Sequence, residues 1–193
     1  MKLTERYRER FERTLRDLPG RAVGYRVDRV RLPNGRTAER QFLTHPGAVG
    51  VLAFETPRKI LLVKQFRYPV REFTYEIPAG KLAAGEDPSA CVRRELEEEA
   101  GFQAGRLKKL IAYWPTPAFS DEVLHLYLAE DLIATHVHPD EDEFLELARV
   151  SPGRMERMIR SGQIKDSKTV IAYFLWKNRR FEYQRSKSTR SIP

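Results

Sequence analysis

The stretch GKLAAGEDPSACVRRELEEEAGF, residues 80 to 102, sets Glu95, Glu97, Glu98 and Glu99 in one short run of a chain whose formal net charge is +8. Carboxylates gathered this closely can hold a hard divalent cation through oxygen, or take a proton from water. Which of them share a face depends on the helix they sit on. Asp87 is suited to cap that helix, Pro88 to open it with the N–H it lacks, and Gly101 to end it in a left-handed conformation. With Val92 as the zero of angle, Leu96 falls at about 40° and Ala100 at about 80°, marking the apolar stripe. Glu99 at about −20° and Glu95 at about −60° border that stripe, whereas Glu97 at about 140° and Glu98 at about −120° turn outward. Like charges four apart destabilise a helix by a few tenths of a kcal/mol, and by more where water is scarce. A solvated acidic face partly compensated by Arg93 and Arg94 is the plainer reading, and the wheel counts against it. A divalent cation resolves the repulsion, and an oxygen-rich set suits Mg²⁺ or Mn²⁺. The single cysteine, Cys91, excludes an internal disulfide and a cysteine-rich zinc site, and its place on the helix makes it a packing residue.

The elements around this helix read as mixed α and β. Residues 1 to about 18 carry Tyr7, Phe11 and Leu15 at spacings of four, which predicts an amphipathic helix stopped by Pro19 and Gly20. Val23 to Arg31, the turn Pro33-Asn34-Gly35, and Thr37 to Leu43 predict a hairpin. Apolar strands follow at Val49 to Phe54 and Ile60 to Phe66, then FTYEI, Leu107 to Trp114 and Val123 to Ala129. Ser151 and Pro152 open another helix that Gly162 ends, and a last one runs from Ser167 to Asn178 with Val170, Ile171, Phe174 and Leu175 as its core stripe. At 193 residues the chain fits one domain of ordinary size, or one domain with an appendage. The division predicted is residues 1–46 as an N-terminal helix and hairpin region, 47–180 as the main domain, and 181–193 as a disordered basic tail.

Apolar runs are too short for a membrane span and the opening lacks the apolar core of a signal peptide, so a cytoplasmic protein without a membrane partner is expected. A pI near 9.7 raises the question of nucleic acid, but the excess charge sits at the two ends and no helix-turn-helix, zinc finger or RNP-like motif lies between them. No nucleic-acid partner is expected; the surplus charge suits a small anionic substrate by steering.

Gly80, Glu86, Arg94-Glu95-Leu96, Glu98-Glu99 and Gly101-Phe102 occupy nine specified positions in 23 residues, and the pattern resembles the Nudix box without departure. The resemblance implies an α+β fold, an α/β/α sandwich around a mixed sheet, and hydrolysis of a nucleoside diphosphate linked to another group with a divalent metal. Beyond the box, LPNG, HPGAVGVLAF, LLVKQFRYPVREFTYEIPAGKL, PTPAFSDE and HPDEDEFLEL look like the ADP-ribose pyrophosphatase branch of the family. Pro117, sixteen residues after Gly101, stands where that branch has a marker proline; the loop here reads Thr116-Pro117-Ala118, against the usual Ser-Pro-Gly.

The same resemblance implies roles for named residues. Metal ligands would be Glu95, Glu99, the carbonyl of Ala79 and, with substrate bound, Glu143; Glu98 would bind metal or a water on it. Arg67 stands at the position of a diphosphate-contacting arginine, a role that suits a guanidinium fork. The general base would be a loop glutamate, Glu141, with Glu143 and Glu98 as the alternatives. Gly80, Glu86, Arg94 and Gly101 would be structural members of the motif. Thr116 lies in the loop bearing the substrate marker, and Arg40 on the hairpin would reach the nucleoside across a homodimer whose N-terminal strands are exchanged. Tyr25, Phe42 and Tyr68 are expected in the core more than against a base, and His45, His125, His136 and His138 have no ligand spacing. The substrate implied is ADP-ribose, cleaved to AMP and ribose 5-phosphate, with GDP-mannose or another nucleoside diphosphate sugar as the alternative. A non-catalytic nucleotide-sugar-binding regulator is the alternative of a different class.

Overall fold

A computed structural model describes the backbone of residues 3–136 and 144–189, and the side chains of 5–136 and 144–179. The chain divides into two compact units, Met1–Gly47 with Trp114–Val123, and Ala48–Tyr113 with Leu124–Pro193.

The larger unit is built around β4 (Ala48–Thr56). Its sequence AVGVLAFET is almost wholly apolar because both of its faces are covered. Val49, Val51 and Ala53 pack against Cys91, Val92, Leu96 and Ala100 of α2 (Pro88–Ala100). Leu52 and Phe54 face the other way, towards Met155 and Met158 of α3 (Pro152–Arg160) and Ala172 and Tyr173 of α4 (Ser167–Thr189). That is an α/β/α sandwich. Around β4 the sheet runs β10 (Glu146–Val150), β5 (Lys59–Arg67), β4, β9 (Leu124–Ala134), β8 (Phe102–Tyr113), with β6 (Glu72–Glu76) on β5 and β7 (Ala79–Lys81) on β4. The pairing of β4 with β9 is parallel and the others are antiparallel, so the sheet is mixed, as the fold class requires.

The smaller unit is a three-stranded antiparallel sheet of β1 (Arg10–Leu18), β2 (Gly24–Arg31) and β3 (Thr37–Thr44). The hairpin of β2 and β3 closes where the sequence placed it, with Gly35 at φ 83°. The N-terminal helix is corrected: α1 covers only Leu3–Arg6, and residues 10–18 form a strand. The reason lies in two irregularities in the β1–β2 register, between Phe11 and Arg13 and between Thr14 and Arg16. Each bulge adds a residue and resets the alternation of a strand, so that apolar residues at 11, 15 and 18 mimic a helical period.

Two further differences concern α4. It continues to Thr189, eleven residues past Asn178, through a segment rich in lysine, arginine, glutamate and glutamine. Its buried face is Lys168, Thr169, Ala172 and Tyr173, whereas Val170, Ile171, Phe174 and Leu175 are half-buried. The run VIAYFLW is apolar around most of the helix, so periodicity alone does not set its rotation.

Candidate active site

Helix α2 forms as its sequence dictates. The Asp87 carboxylate accepts from the backbone N–H of Ser89 at 2.8 Å and of Ala90 at 3.2 Å, and Pro88 takes the first helical position. Gly101 ends the helix at φ 71°, ψ 37°, its N–H donating to Glu97 O at 2.9 Å. Between these caps the helix buries Cys91, Val92, Glu95, Leu96, Glu99 and Ala100. Glu95 and Glu99 are 8% and 5% exposed, inside the margin that the wheel assigned them. Glu98 is half-buried.

The short strand β7 lies against this carboxylate face. Ala79 N–H donates to Glu99 Oε2 at 2.9 Å, placing the Ala79 peptide beside that carboxylate. A Cβ added at Gly80 would stand 1.8 Å from Glu95 Oε1, so any other residue at 80 displaces the carboxylate. Arg94 threads the cluster together. Its Nε donates to Glu86 Oε1 at 3.0 Å, and its Nη1 to Glu95 Oε1 at 2.8 Å and Glu98 Oε2 at 2.9 Å. Hydrogen bonds from Arg94 first, then from the Ala83 N–H, hold the Glu86 carboxyl at about 2. Reciprocally, Glu86 foremost, with Glu95 and Glu98, raises the Arg94 pKa. Burial pushes the Cys91 thiol up to about 12, so it stays protonated and is no thiolate ligand.

These residues fit a hard divalent cation. The carboxylates of Glu95 and Glu99 offer hard oxygen donors, and the missing side chain at 80 leaves Glu95 room to stand against the strand. Among the described residues, no three His, Cys, Asp or Glu side chains close into a cage by themselves. Glu141 and Glu143, on which the sequence placed the base and a further ligand, lie outside the described residues.

Arg67, at the end of β5, is half-exposed on its side chain and lines a hollow of about 530 Å³. Its Nε and Nη2 grip the Glu76 carboxylate at 2.8 and 2.7 Å. The hydrogen bonds that Arg67 donates to Glu76 raise the Arg67 pKa most, and Glu99 adds a smaller electrostatic contribution. Glu76 is 2% exposed and also accepts from Thr74 Oγ1 at 2.6 Å and from Lys168 Nζ. Burial would raise its pKa; Arg67 and Lys168 together outweigh that and hold it at about 2.

Sequence reasoning did not single out Glu76 or Lys168. The signal it could have used is a glutamate set directly before the apolar Ile77-Pro78 and a lysine one residue into an otherwise apolar helix. The unit of Met1–Gly47 holds the other two candidates. Arg40 on β3 is ion-paired to Glu9 and lines a hollow of about 490 Å³ with Phe42, Trp114, Pro117 and Phe119. Thr116 accepts through its carbonyl from Phe119 N–H at 3.1 Å and Ser120 N–H at 3.0 Å.

Comparison with known proteins places these features in a family. The NUDIX domain family model matches residues 44–172. The chain is 43% identical over 155 residues to an ADP-ribose pyrophosphatase of Bacillus subtilis, covering 79% of this chain and 84% of that protein. It is 42% identical over 168 residues to a methanol dehydrogenase activator of Bacillus methanolicus, covering 86% and 91%. A solved structure described as an ADP compounds hydrolase superposes with a TM-score of 0.74 at 19% identity, over 88% of this chain and 93% of that one, a likeness of fold.

Proposed function

This chain belongs to the Nudix family and is a Nudix hydrolase, and from that premise we propose that it hydrolyses the diphosphate of ADP-ribose to AMP and ribose 5-phosphate. The observation that carries the proposal is the pair of buried carboxylates, Glu95 and Glu99, on one face of α2, with Gly80 leaving room for the first of them. A binding module has no use for that arrangement, because burying like charges side by side costs stability.

A divalent cation, Mg²⁺ or Mn²⁺, would supply neutralisation of the phosphoryl oxygens when bound. Glu95 and Glu99, the Ala79 carbonyl and Glu143, which lies outside the described residues, would hold it, with Glu98 at its edge. Arg94 fixes the rotamers of Glu95 and Glu98 through the two hydrogen bonds of its Nη1. Arg67 offers a planar fork to the diphosphate from its half-exposed position. Glu141 takes the proton of the attacking water; the hydroxyl joins one phosphorus while the bridging oxygen leaves with the other phosphate. The smaller unit exposes Tyr7, Phe11 and Leu18, surface that suits exchange with a second copy, and in that homodimer Arg40 and Thr116 would contact the nucleoside and the sugar. Among the described residues no helix is long and apolar enough to cross a membrane, in keeping with a cytoplasmic enzyme.

The test is hydrolysis of nucleoside diphosphate sugars with Mg²⁺ present, read as phosphate released by a phosphatase that acts only on the products. ADP-ribose should be cleaved fastest; comparable rates on GDP-mannose overturn the narrow assignment. Glu141→Gln should lower turnover by orders of magnitude with metal affinity kept, and normal turnover moves the base to Glu143 or Glu98. A second reading, a regulator of another enzyme, is favoured by the likeness to the methanol dehydrogenase activator. Absence of turnover on every nucleoside diphosphate sugar would select it.

A further inference from the structure

In the polar network behind Arg67, Glu76 is paired with two cations rather than one. Glu76 receives two donors on each oxygen: Arg67 Nε and Thr74 Oγ1 on Oε1, Arg67 Nη2 and Lys168 Nζ on Oε2. Of the two cations, Arg67 is half-exposed and borders the hollow, whereas Lys168 is 8% exposed. Lys168 is fixed as well as buried. Its Nζ donates to Asp166 Oδ1 at 2.9 Å, and the other Asp166 oxygen takes the Thr169 N–H at 3.0 Å and the Thr169 hydroxyl at 2.5 Å, capping α4. The Thr169 Oγ1 in turn accepts from Ile77 N–H at 2.9 Å, tying the first turn of α4 to the strand that leads into Ala79 and Gly80.

We propose that Lys168 is a positioning residue that acts through Glu76: it is the resident countercharge that frees Arg67 to leave Glu76 and close its fork on an anionic substrate group. A carboxylate this deeply buried cannot be left without a partner cation, because an uncompensated charge in the interior is strongly destabilising. If Arg67 swings into the hollow, Oε1 keeps the Thr74 hydroxyl and Oε2 keeps Lys168, so each oxygen retains a donor and the carboxylate retains an ion pair with the lysine, which it shares with Asp166. Without Lys168, Arg67 is the remaining cation on Glu76 and is held there. The balance also explains why the arginine is presented at all. Two cations on one carboxylate leave a guanidinium whose present bonds are replaceable, at the edge of a space large enough to receive a phosphate.

The inference rests on the reading of Arg67 as a diphosphate-binding residue, and the experiment separates the two. Steady-state hydrolysis of ADP-ribose is measured with saturating Mg²⁺ for the parent chain, Lys168→Met, Arg67→Gln, the double variant of these two, and Lys168→Met combined with Glu76→Gln. Lys168→Met should raise KM about tenfold with kcat changed by less than about threefold, the signature of lost ground-state binding. Adding it to Arg67→Gln should cost little more than Arg67→Gln alone, since both remove the same interaction. Neutralising the carboxylate with Glu76→Gln should recover most of the KM lost in Lys168→Met, because nothing then holds Arg67 back; a merely structural lysine predicts a further loss. If Arg67→Gln hydrolyses normally, or the parent chain does not cleave ADP-ribose, the reading of Arg67 falls and this one with it. If Arg67→Gln is impaired while Lys168→Met is not, or if the two losses multiply, or if Glu76→Gln worsens Lys168→Met, the positioning role of Lys168 alone is overturned. Thermal melting of each variant identifies loss of folded protein, and a KM measured on the folded fraction decides the matter.

Discussion

Two clusters of buried and half-buried carboxylates stand in the larger unit, and they solve the same electrostatic problem in opposite ways. At α2, Glu95 and Glu98 of the helix and Glu86 just before it share the single guanidinium of Arg94, and Glu99 stands one turn from Glu95. Around Glu76, two carboxylates, Glu76 and Asp166, meet two cations, Arg67 and Lys168. The first cluster sets four carboxylates near one bridging arginine, and the second sets two against two. Acid gathered around one arginine would suit a cation from outside; buried acid matched on site serves shape and orientation.

The comparison breaks hardest through stability. Glu76→Gln leaves two cations facing a neutral amide and should destabilise the fold by about 3 kcal/mol, read by urea denaturation, whereas Glu99→Gln should leave stability unchanged or raised. An equal loss in both would erase the distinction. The acid limb sharpens it. The folded pKa of Glu76 lies at about 2, below the ordinary 4.5, so its contribution is complete above about pH 4.5 and is lost as pH falls towards 2. By about 1.36 kcal/mol per unit this amounts to roughly 3 kcal/mol, and Glu76→Gln should flatten that part of the stability–pH curve.

Activity should show the reverse order. Glu99→Gln is expected to lower turnover on the order of 10²-fold and to shift the divalent-cation requirement upward, measured by metal titration of the rate. Gly80→Ala forces Glu95 from its place and should cost about tenfold in turnover, with a smaller loss of melting temperature. Smallest of all, Asp87→Ala removes two backbone hydrogen bonds at the start of α2 and should cost about 1 kcal/mol of stability without changing the metal requirement.

The balance of clusters also marks what could be read in the sequence. Helix α2 was legible throughout, since Asp87, Pro88 and Gly101 act on their immediate neighbours and the wheel needs only thirteen consecutive residues. The buried central strand was legible from the continuous apolar run of β4, whereas the sandwich followed from the resemblance to the Nudix box. Residues 10–18 misled because bulges at a strand break the period that identifies strands. The rotation of α4 was hidden, since its turn VIAYFLW is apolar on nearly every side; Lys168 and Thr169, reaching Glu76 and Ile77 some 92 positions earlier, set it. A partner that far along the chain leaves no local periodicity to find.

The parallel pairing of β4 with β9 carries a consequence for the order of assembly. Ala48 meets Leu124 across 76 positions, while β5 returns to β4 through a turn of a few residues. Closing the longer loop costs more chain entropy, so β4 and β5 can join early and must then wait for β9. The whole of α2, with its acidic face, lies within that loop and is synthesised first. During translation the nascent helix therefore meets a half-built sheet, and the central strand stays open along one edge until residues near 130 have left the ribosome.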